Sequence, residues 1–164
     1  MKTLIMGLGN PILGDDGVGW RVAEAVAKLL PIDSNIQIEC CAVGGLSLME
    51  RMTGYENVIL IDSISTGSKP VGTVYQFSFS QIENIASGHI ASAHDASLQN
   101  AINVGRSMEI PLPGDESIKI LAIEAKEVFD FSENLSAPVE RAIPLATTLI
   151  MEIIESTNQE GKRK

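Results

Sequence analysis

Short apolar runs alternate along this chain with segments whose apolar residues recur every three or four positions. The short runs are typical of strands, and the recurring pattern is typical of helices packed by one face. Strands are predicted at Thr3–Met6, Ile36–Ala42, Val58–Ile61, Thr73–Phe79 and Ile118–Ile123. Helices are predicted from Val18 to Leu29, Leu46 to Met52, His94 to Arg106 and Ala137 to Ser156.

This alternation predicts a three-layer α/β fold. Its core is a twisted, mostly parallel five-stranded sheet with helices on both faces. The connection from Val58–Ile61 to Thr73–Phe79 is too short for a helical crossover, so we expect the second of these to be an antiparallel edge strand. Pro144 inside the last helical pattern predicts a kink or a break. Residues 1–156 are expected to form a single domain, followed by a polar C-terminal tail over 157–164.

Composition and charge exclude some classes of partner. The chain has 164 residues, of which 45% are hydrophobic and 20% charged, as in ordinary globular domains. Its formal net charge of −9 disfavours nucleic-acid binding, which needs clustered Lys and Arg. The apolar run after Lys2 is too short for a membrane span or a secretory signal, so we expect no membrane partner.

The two cysteines, Cys40 and Cys41, are adjacent in a predicted strand. Neighbouring strand residues point to opposite faces of a sheet, and a disulfide between them would be strained. Reduced thiols of this kind favour a cytoplasmic protein.

The turn after the first strand is rich in glycine but does not match a dinucleotide site. The dinucleotide fingerprint needs a third small residue where Ile12 stands, and Pro11 removes one backbone donor. Asp15 and Asp16 stand at the start of the next helix, where a carboxylate caps free N–H groups. One aspartate meets that need, so Asp16 has room for another role.

Asp16, Asp62 and His94 each lie just past an apolar run. The carboxyl ends of parallel strands meet at one edge of a sheet, which is where open α/β folds bind ligands. Two carboxylates and one imidazole can hold a divalent transition metal while leaving coordination positions open. The pattern therefore indicates a candidate metal site.

Each of these residues also has a purely structural interpretation. Asp62 can cap the following turn together with Ser63 and Ser65. Ser92-Ala93-His94-Asp95 reads as a capping box, which puts His94 in the first turn of a helix. The positive end of that helix disfavours imidazolium and leaves a lone pair for a metal.

The ordered combination of Gly7-Leu8-Gly9-Asn10, Asp15-Asp16-Gly17-Val18-Gly19, Asp62 and Ser92-Ala93-His94 resembles the hydrogenase maturation endopeptidases. The resemblance runs from Lys2 to about Ile154 and implies that the α/β fold is of the phosphorylase/hydrolase-like type. It implies a cytoplasmic protease that removes the C-terminal extension of a nickel-iron hydrogenase large-subunit precursor. It also implies that cleavage follows nickel loading, that the precursor supplies the nickel, and that no organic cofactor is needed.

The resemblance implies roles for particular residues. The metal-binding positions of that family match Asp16, Asp62 and His94, and the two aspartates are also the candidate catalytic residues of an aspartyl-type protease. The metal could polarise the scissile carbonyl or acidify water, or a carboxylate could act as general base. The predicted substrate-binding residues are Gly9, Asn10, Gly44 and Glu124. Many members carry an Asp-Gly-Gly-Thr-like turn where this chain has residues 39–43, which leaves substrate choice open.

Two other functions compete with this one. A non-catalytic docking or chaperone module could bind the nickel-loaded precursor through the same three ligands without cleaving it. The segment Gly7–Pro11 also resembles the opening of peptidyl-tRNA hydrolases. That family follows with Thr-Arg-His-Asn where this chain has Leu13-Gly14-Asp15-Asp16, and the acidic charge disfavours tRNA.

Overall fold

The computed structural model describes residues 2–31, 34–81, 93–126 and 131–161, with residues 93–97 and 160–161 described by their backbone only. The strands are β1 (Thr3–Leu8), β2 (Ile36–Cys41), β3 (Asn57–Ile64), β4 (Val74–Ser78) and β5 (Ile118–Glu124). The helices are α1 (Val18–Ala27), α2 (Gly45–Arg51), α3 (Ala93–Ser107) and α4 (Ala137–Gly161). A short 3-10 helix, Gly14–Gly17, leads into α1.

The strands form one sheet in the order β2-β1-β3-β5-β4. The first four strands in that order are mutually parallel, and β4 pairs antiparallel with β5 at the edge. The predicted fold class is therefore confirmed, including the antiparallel edge strand. The order places β1 and β3 side by side at the centre, with both carboxyl ends at one edge of the sheet.

Alternate residues of each strand supply two separate cores, one on each face. In β3, Leu60 and Ile64 belong to the core covered by α2 and α3. Ile59 and Ile61 belong to the opposite core, covered by α1 and α4. This alternation is the two-residue period of a strand, and it makes the three layers of the fold.

Glycines allow α1 to begin in contact with the central strands. A Cβ atom on Gly19 would lie 2.4 Å from the carbonyl oxygens of both Leu8 and Ile61. A Cβ atom on Gly7 would lie 2.5 Å from the carbonyl oxygen of Gly19. Only hydrogen fits at such distances. The Gly14–Gly17 turn is consequently held over the carboxyl edge of β1 and β3.

Several predicted boundaries differ from the observed ones; β1, for example, ends at Leu8 and not at Met6, and α1 ends at Ala27 and not at Leu29. β3 does not stop at Ile61 but continues to Ile64, so Asp62 lies inside the strand. Pro144 does not break the last helix, which runs from Ala137 to Gly161, although the alternative of a kink there stays a prediction. That helix also includes residues 157–161, which were predicted to belong to the tail. Among the residues that are described, no helix is long and apolar enough to cross a membrane.

Candidate active site

Asp62 lies near the carboxyl end of the central strand β3, paired in register with Ala122 of β5. The residue is 6% exposed, so its carboxylate is largely removed from bulk water. Its Oδ1 accepts a hydrogen bond of 2.8 Å from the backbone N–H of Ser63. Asp62 shares its strand face with Leu60 and Ile64, the face covered by α2 and α3.

Asp16 reaches the same edge from the turn before α1. Its Oδ2 accepts a 2.6 Å hydrogen bond from the backbone N–H of Asn10, and its Oδ1 accepts one of 3.2 Å from the Ser63 hydroxyl. Gly9 permits the close approach because its φ is +105° and a Cβ there would lie 1.9 Å from the Asp16 carbonyl oxygen. The Gly7-Leu8-Gly9-Asn10 segment thus determines where the Asp16 carboxylate lies.

Ser63 connects the two carboxylates. Its backbone N–H binds Asp62 and its side-chain hydroxyl binds Asp16. The sequence indicated Ser63 only as a possible partner of Asp62 in a capped turn. Its contact with Asp16 was not predicted. The predicted strand stopped at Ile61, so its alternation did not extend to Ser63; in the observed strand the residue after Asp62 points to the opposite face, the one covered by α1.

His94 lies in the first turn of α3, as predicted, and its side chain lies outside the described residues. α3 leads into the amino end of β5, so its first turn faces the carboxyl edge of the parallel strands. The helix also packs on the sheet face that carries Asp62. The predicted capping box of Ser92 and Asp95 lies outside the description, which includes neither Ser92 nor the side chain of Asp95.

Asp15 has a different partner from the predicted one. It is 4% exposed, and its two carboxylate oxygens accept hydrogen bonds of 2.6 and 2.8 Å from the backbone N–H and hydroxyl of Ser136. Ser136 directly precedes α4. Capping of α1 by these aspartates is therefore wrong, because α1 has no side-chain cap and Asp15 serves the start of α4 instead.

Glu124 ends β5 and is 1% exposed. Its carboxylate accepts hydrogen bonds of 2.7–2.9 Å from the Thr66 N–H, the Thr66 hydroxyl, the Gly67 N–H and the Tyr75 hydroxyl. Burial by itself raises the pKa of Glu124, but these four donors outweigh it and leave the pKa below its ordinary value. The described contacts of Glu124 hold the loop after β3, and substrate binding by this residue stays a prediction.

The other predicted substrate-binding residues lie at the carboxyl edge. Gly9 and Asn10 follow β1, and the backbone N–H of Asn10 donates to the Asp16 carboxylate. Gly44 follows β2 and directly precedes α2. The structure thus puts all three at the edge where Asp16 and Asp62 meet, and their contacts with substrate stay predictions.

Cys40 and Cys41 are free thiols on opposite faces of β2. Burial is the main factor that raises the pKa of both thiols, so they are protonated at neutral pH. They are poor nucleophiles in this state, and the candidate chemistry rests on the carboxylates.

Within the described residues, no three His, Cys, Asp or Glu side chains come together as a metal-binding group. The described part of the site is a pair of aspartates that share Ser63 as a hydrogen-bond partner. Carboxylate oxygens suit divalent cations and can also accept a proton from water. For this pair, cation binding and general base catalysis both stay predictions.

Comparison with known proteins identifies similar sequences. A family model described as hydrogenase maturation protease, HycI, matches residues 20–153. The hydrogenase expression/formation protein HupD of Rhizobium leguminosarum bv. viciae is 24% identical over 156 residues, covering 94% of this chain and 75% of that protein.

Solved structures share the fold. The hydrogenase maturating endopeptidase HybD from Escherichia coli superposes with a TM-score of 0.79 at 20% identity, covering 96% of this chain and 94% of that one. The NiFe hydrogenase maturation protease HybD from Thermococcus kodakarensis gives a TM-score of 0.76 at 24% identity, covering 93% of this chain and 99% of that one. At these identities the superpositions establish the architecture of the sheet and its helices.

Proposed function

Because the chain belongs to the hydrogenase maturation protease family, we propose that it removes the C-terminal extension of a nickel-loaded nickel-iron hydrogenase large-subunit precursor. Asp16, Asp62 and His94 recognise the metal that the precursor carries. The observation that best supports this function is the meeting of Asp16 and Asp62 at Ser63, on the ligand-binding edge of the sheet. The nickel is part of the substrate, and no organic cofactor takes part.

The carboxylate pair gives a physical reason for nickel dependence. Each carboxylate brings a negative charge to the same edge of the sheet, and a divalent cation bound there would interact favourably with both. A precursor that brings nickel supplies such a cation, whereas a nickel-free precursor does not. Two carboxylates and an imidazole also suit a divalent first-row metal and leave coordination positions for the ligands of the precursor.

Hydrolysis of the peptide needs an activated water, a polarised carbonyl and a proton for the leaving amine. A carboxylate of the pair accepts the proton of the attacking water as general base and returns it to the amine. Asp16 is the less buried of the two and has the better access to water. The metal of the bound substrate lies next to these groups and can polarise the carbonyl.

The proposed setting is the cytoplasm. Cys40 and Cys41 are free thiols, as is usual in reducing compartments.

The activity is tested by the intact mass of a candidate large-subunit precursor, nickel-loaded and nickel-free, after incubation with this protein. We expect the nickel-loaded precursor alone to lose the mass of a C-terminal peptide. Binding of a verified cognate precursor without any loss of mass would contradict the protease function and favour the docking module. Equal cleavage of both precursor forms would contradict metal recognition while leaving the protease function intact.

A further inference from the structure

Ser63 is placed to set the orientation of the Asp16 carboxylate from a rigid element. It lies in β3, between the buried residues Asp62 and Ile64, and is paired in register with Ile123 of β5. Its backbone position is therefore fixed by the central sheet. Its hydroxyl lies 3.2 Å from Asp16 Oδ1.

Asp16 has no comparable support from its own element. It belongs to the 3-10 turn Gly14–Gly17, where the carboxylate would be free to rotate about its side-chain bonds. Two donors from outside this turn restrict it, the Asn10 N–H on Oδ2 and the Ser63 hydroxyl on Oδ1. One donor on each oxygen defines the plane of the carboxylate, which a single donor cannot do.

The same residue also restrains the neighbouring ligand. The Ser63 N–H binds Asp62 Oδ1, so the relative placement of the two carboxylates passes through one residue. The N–H contact is available to any residue except proline, whereas the contact with Asp16 needs a hydroxyl. Of these two contacts, a substitution of Ser63 by a residue without a hydroxyl therefore removes only the one with Asp16.

We propose that Ser63 is a positioning residue, whose hydroxyl holds the Asp16 carboxylate in the orientation that receives the metal of the nickel-loaded precursor. This inference rests on the proposed function. It assigns Ser63 no contact with substrate. Residues that orient a metal ligand in this way commonly change metal affinity or activity by about 10- to 100-fold when replaced.

The test compares steady-state cleavage of nickel-loaded precursor by the wild type, Ser63→Ala and Ser63→Thr. For Ser63→Ala we expect KM to rise about tenfold, the low end of that range because the Asn10 N–H remains, while kcat falls by a smaller factor. Ser63→Thr keeps the hydroxyl and should restore KM. The matched control is Ser117→Ala, a half-buried serine just before β5 at the opposite edge, which should leave both constants unchanged.

A double-mutant cycle on the Kd of the nickel-loaded precursor shows whether Ser63 acts through Asp16. In an Asp16→Ala background, which has no acceptor for the Ser63 hydroxyl, Ser63→Ala should add no further loss of affinity. An unchanged KM in Ser63→Ala, a loss confined to kcat, or a full additional loss in the Asp16→Ala background would each overturn the role of Ser63. If Asp16→Ala itself leaves the Kd unchanged, the proposed recognition site fails, which is a separate result.

Discussion

The Asp15 carboxylate takes both hydrogen-bond donors of Ser136, although 121 residues separate the two positions. The contact ties the turn that carries Asp16 to the amino end of α4. The two adjacent aspartates thus have different roles. Asp15 is bonded into the fold, and Asp16 is turned to the carboxyl edge, where it meets Ser63.

Asp15→Ala should lower the free energy of unfolding by about 1–3 kcal/mol, because it leaves two donors at the start of α4 without their buried acceptor. Ser136→Ala removes only the hydroxyl and should cost about 1 kcal/mol. Urea denaturation of both single variants and the double variant measures the coupling between the residues. Additive effects would contradict the paired contact.

Gly9→Ala should lower the free energy of unfolding by at least about 2 kcal/mol, because the position combines a positive φ with a clash against the Asp16 backbone. Cleavage should fall with it, since Asp16 must move. Gly54→Ala is the matched control. It has a φ of +81° but open space around its Cβ, and it lies before β3 at the opposite edge.

For Gly54→Ala we expect a loss of about 1 kcal/mol from φ alone and an unchanged cleavage rate. Thermal unfolding and precursor cleavage are measured on the same preparations of both variants. Equal losses of stability, or full cleavage by Gly9→Ala, would show that the contact between Gly9 and Asp16 does not shape the site.

The stability contributed by the ionised Glu124 should disappear in acid. Its folded-state pKa lies below the ordinary value, so the contribution is fully present above the pKa of the unfolded chain, about 4.3, and is lost as the pH falls through the folded pKa. Glu124→Gln retains one acceptor oxygen but not the charge. Urea unfolding of wild type and variant across pH should show a difference that shrinks as the pH falls below about 4.3. A difference independent of pH would contradict this account.

Pro144→Ala should raise the free energy of unfolding by about 1–3 kcal/mol. Pro144 is exposed inside α4, and alanine supplies the N–H that proline lacks. Urea denaturation measures the gain, and precursor cleavage should be unchanged because Pro144 is exposed and takes part in none of the described hydrogen bonds of Asp16 and Asp62. An unchanged free energy of unfolding would mean that the proline costs the helix nothing, and a lower one would mean that it stabilises the helix; either would contradict the prediction.

Pro144 also shows where sequence analysis reaches its limit. Apolar periodicity predicted the layers and the helices, and the short connection after β3 predicted the antiparallel edge strand, because each of these depends on neighbours in the chain. Whether α4 continues past Pro144 depends on tertiary packing of residues such as Ala146 and Ile150, which are fully buried. At Pro144 this packing outweighs the tendency of proline to end a helix.

For the site, the sequence predicted where two carboxylates lie, and their roles stay predictions. Residue type and position after apolar runs indicated Asp16 and Asp62, and the sheet brings both to Ser63. The partner of Asp15 could not be predicted, because a contact across 121 residues leaves no local pattern. The role of Glu124 in holding Thr66 and Gly67 likewise depends on how the loop after β3 returns to the sheet.

We propose above that the Asp16 and Asp62 carboxylates recognise the nickel of the precursor and act in its cleavage. The most direct measurement is the rate of cleavage of nickel-loaded precursor by the wild type, Asp16→Asn and Asp115→Asn. Asp115 is a partly exposed aspartate at the opposite edge, where its ion pair with Arg106 contributes little to stability. We expect Asp16→Asn to lose at least about 100-fold in rate and Asp115→Asn to match the wild type. Cleavage by Asp16→Asn at the wild-type rate would contradict the claim.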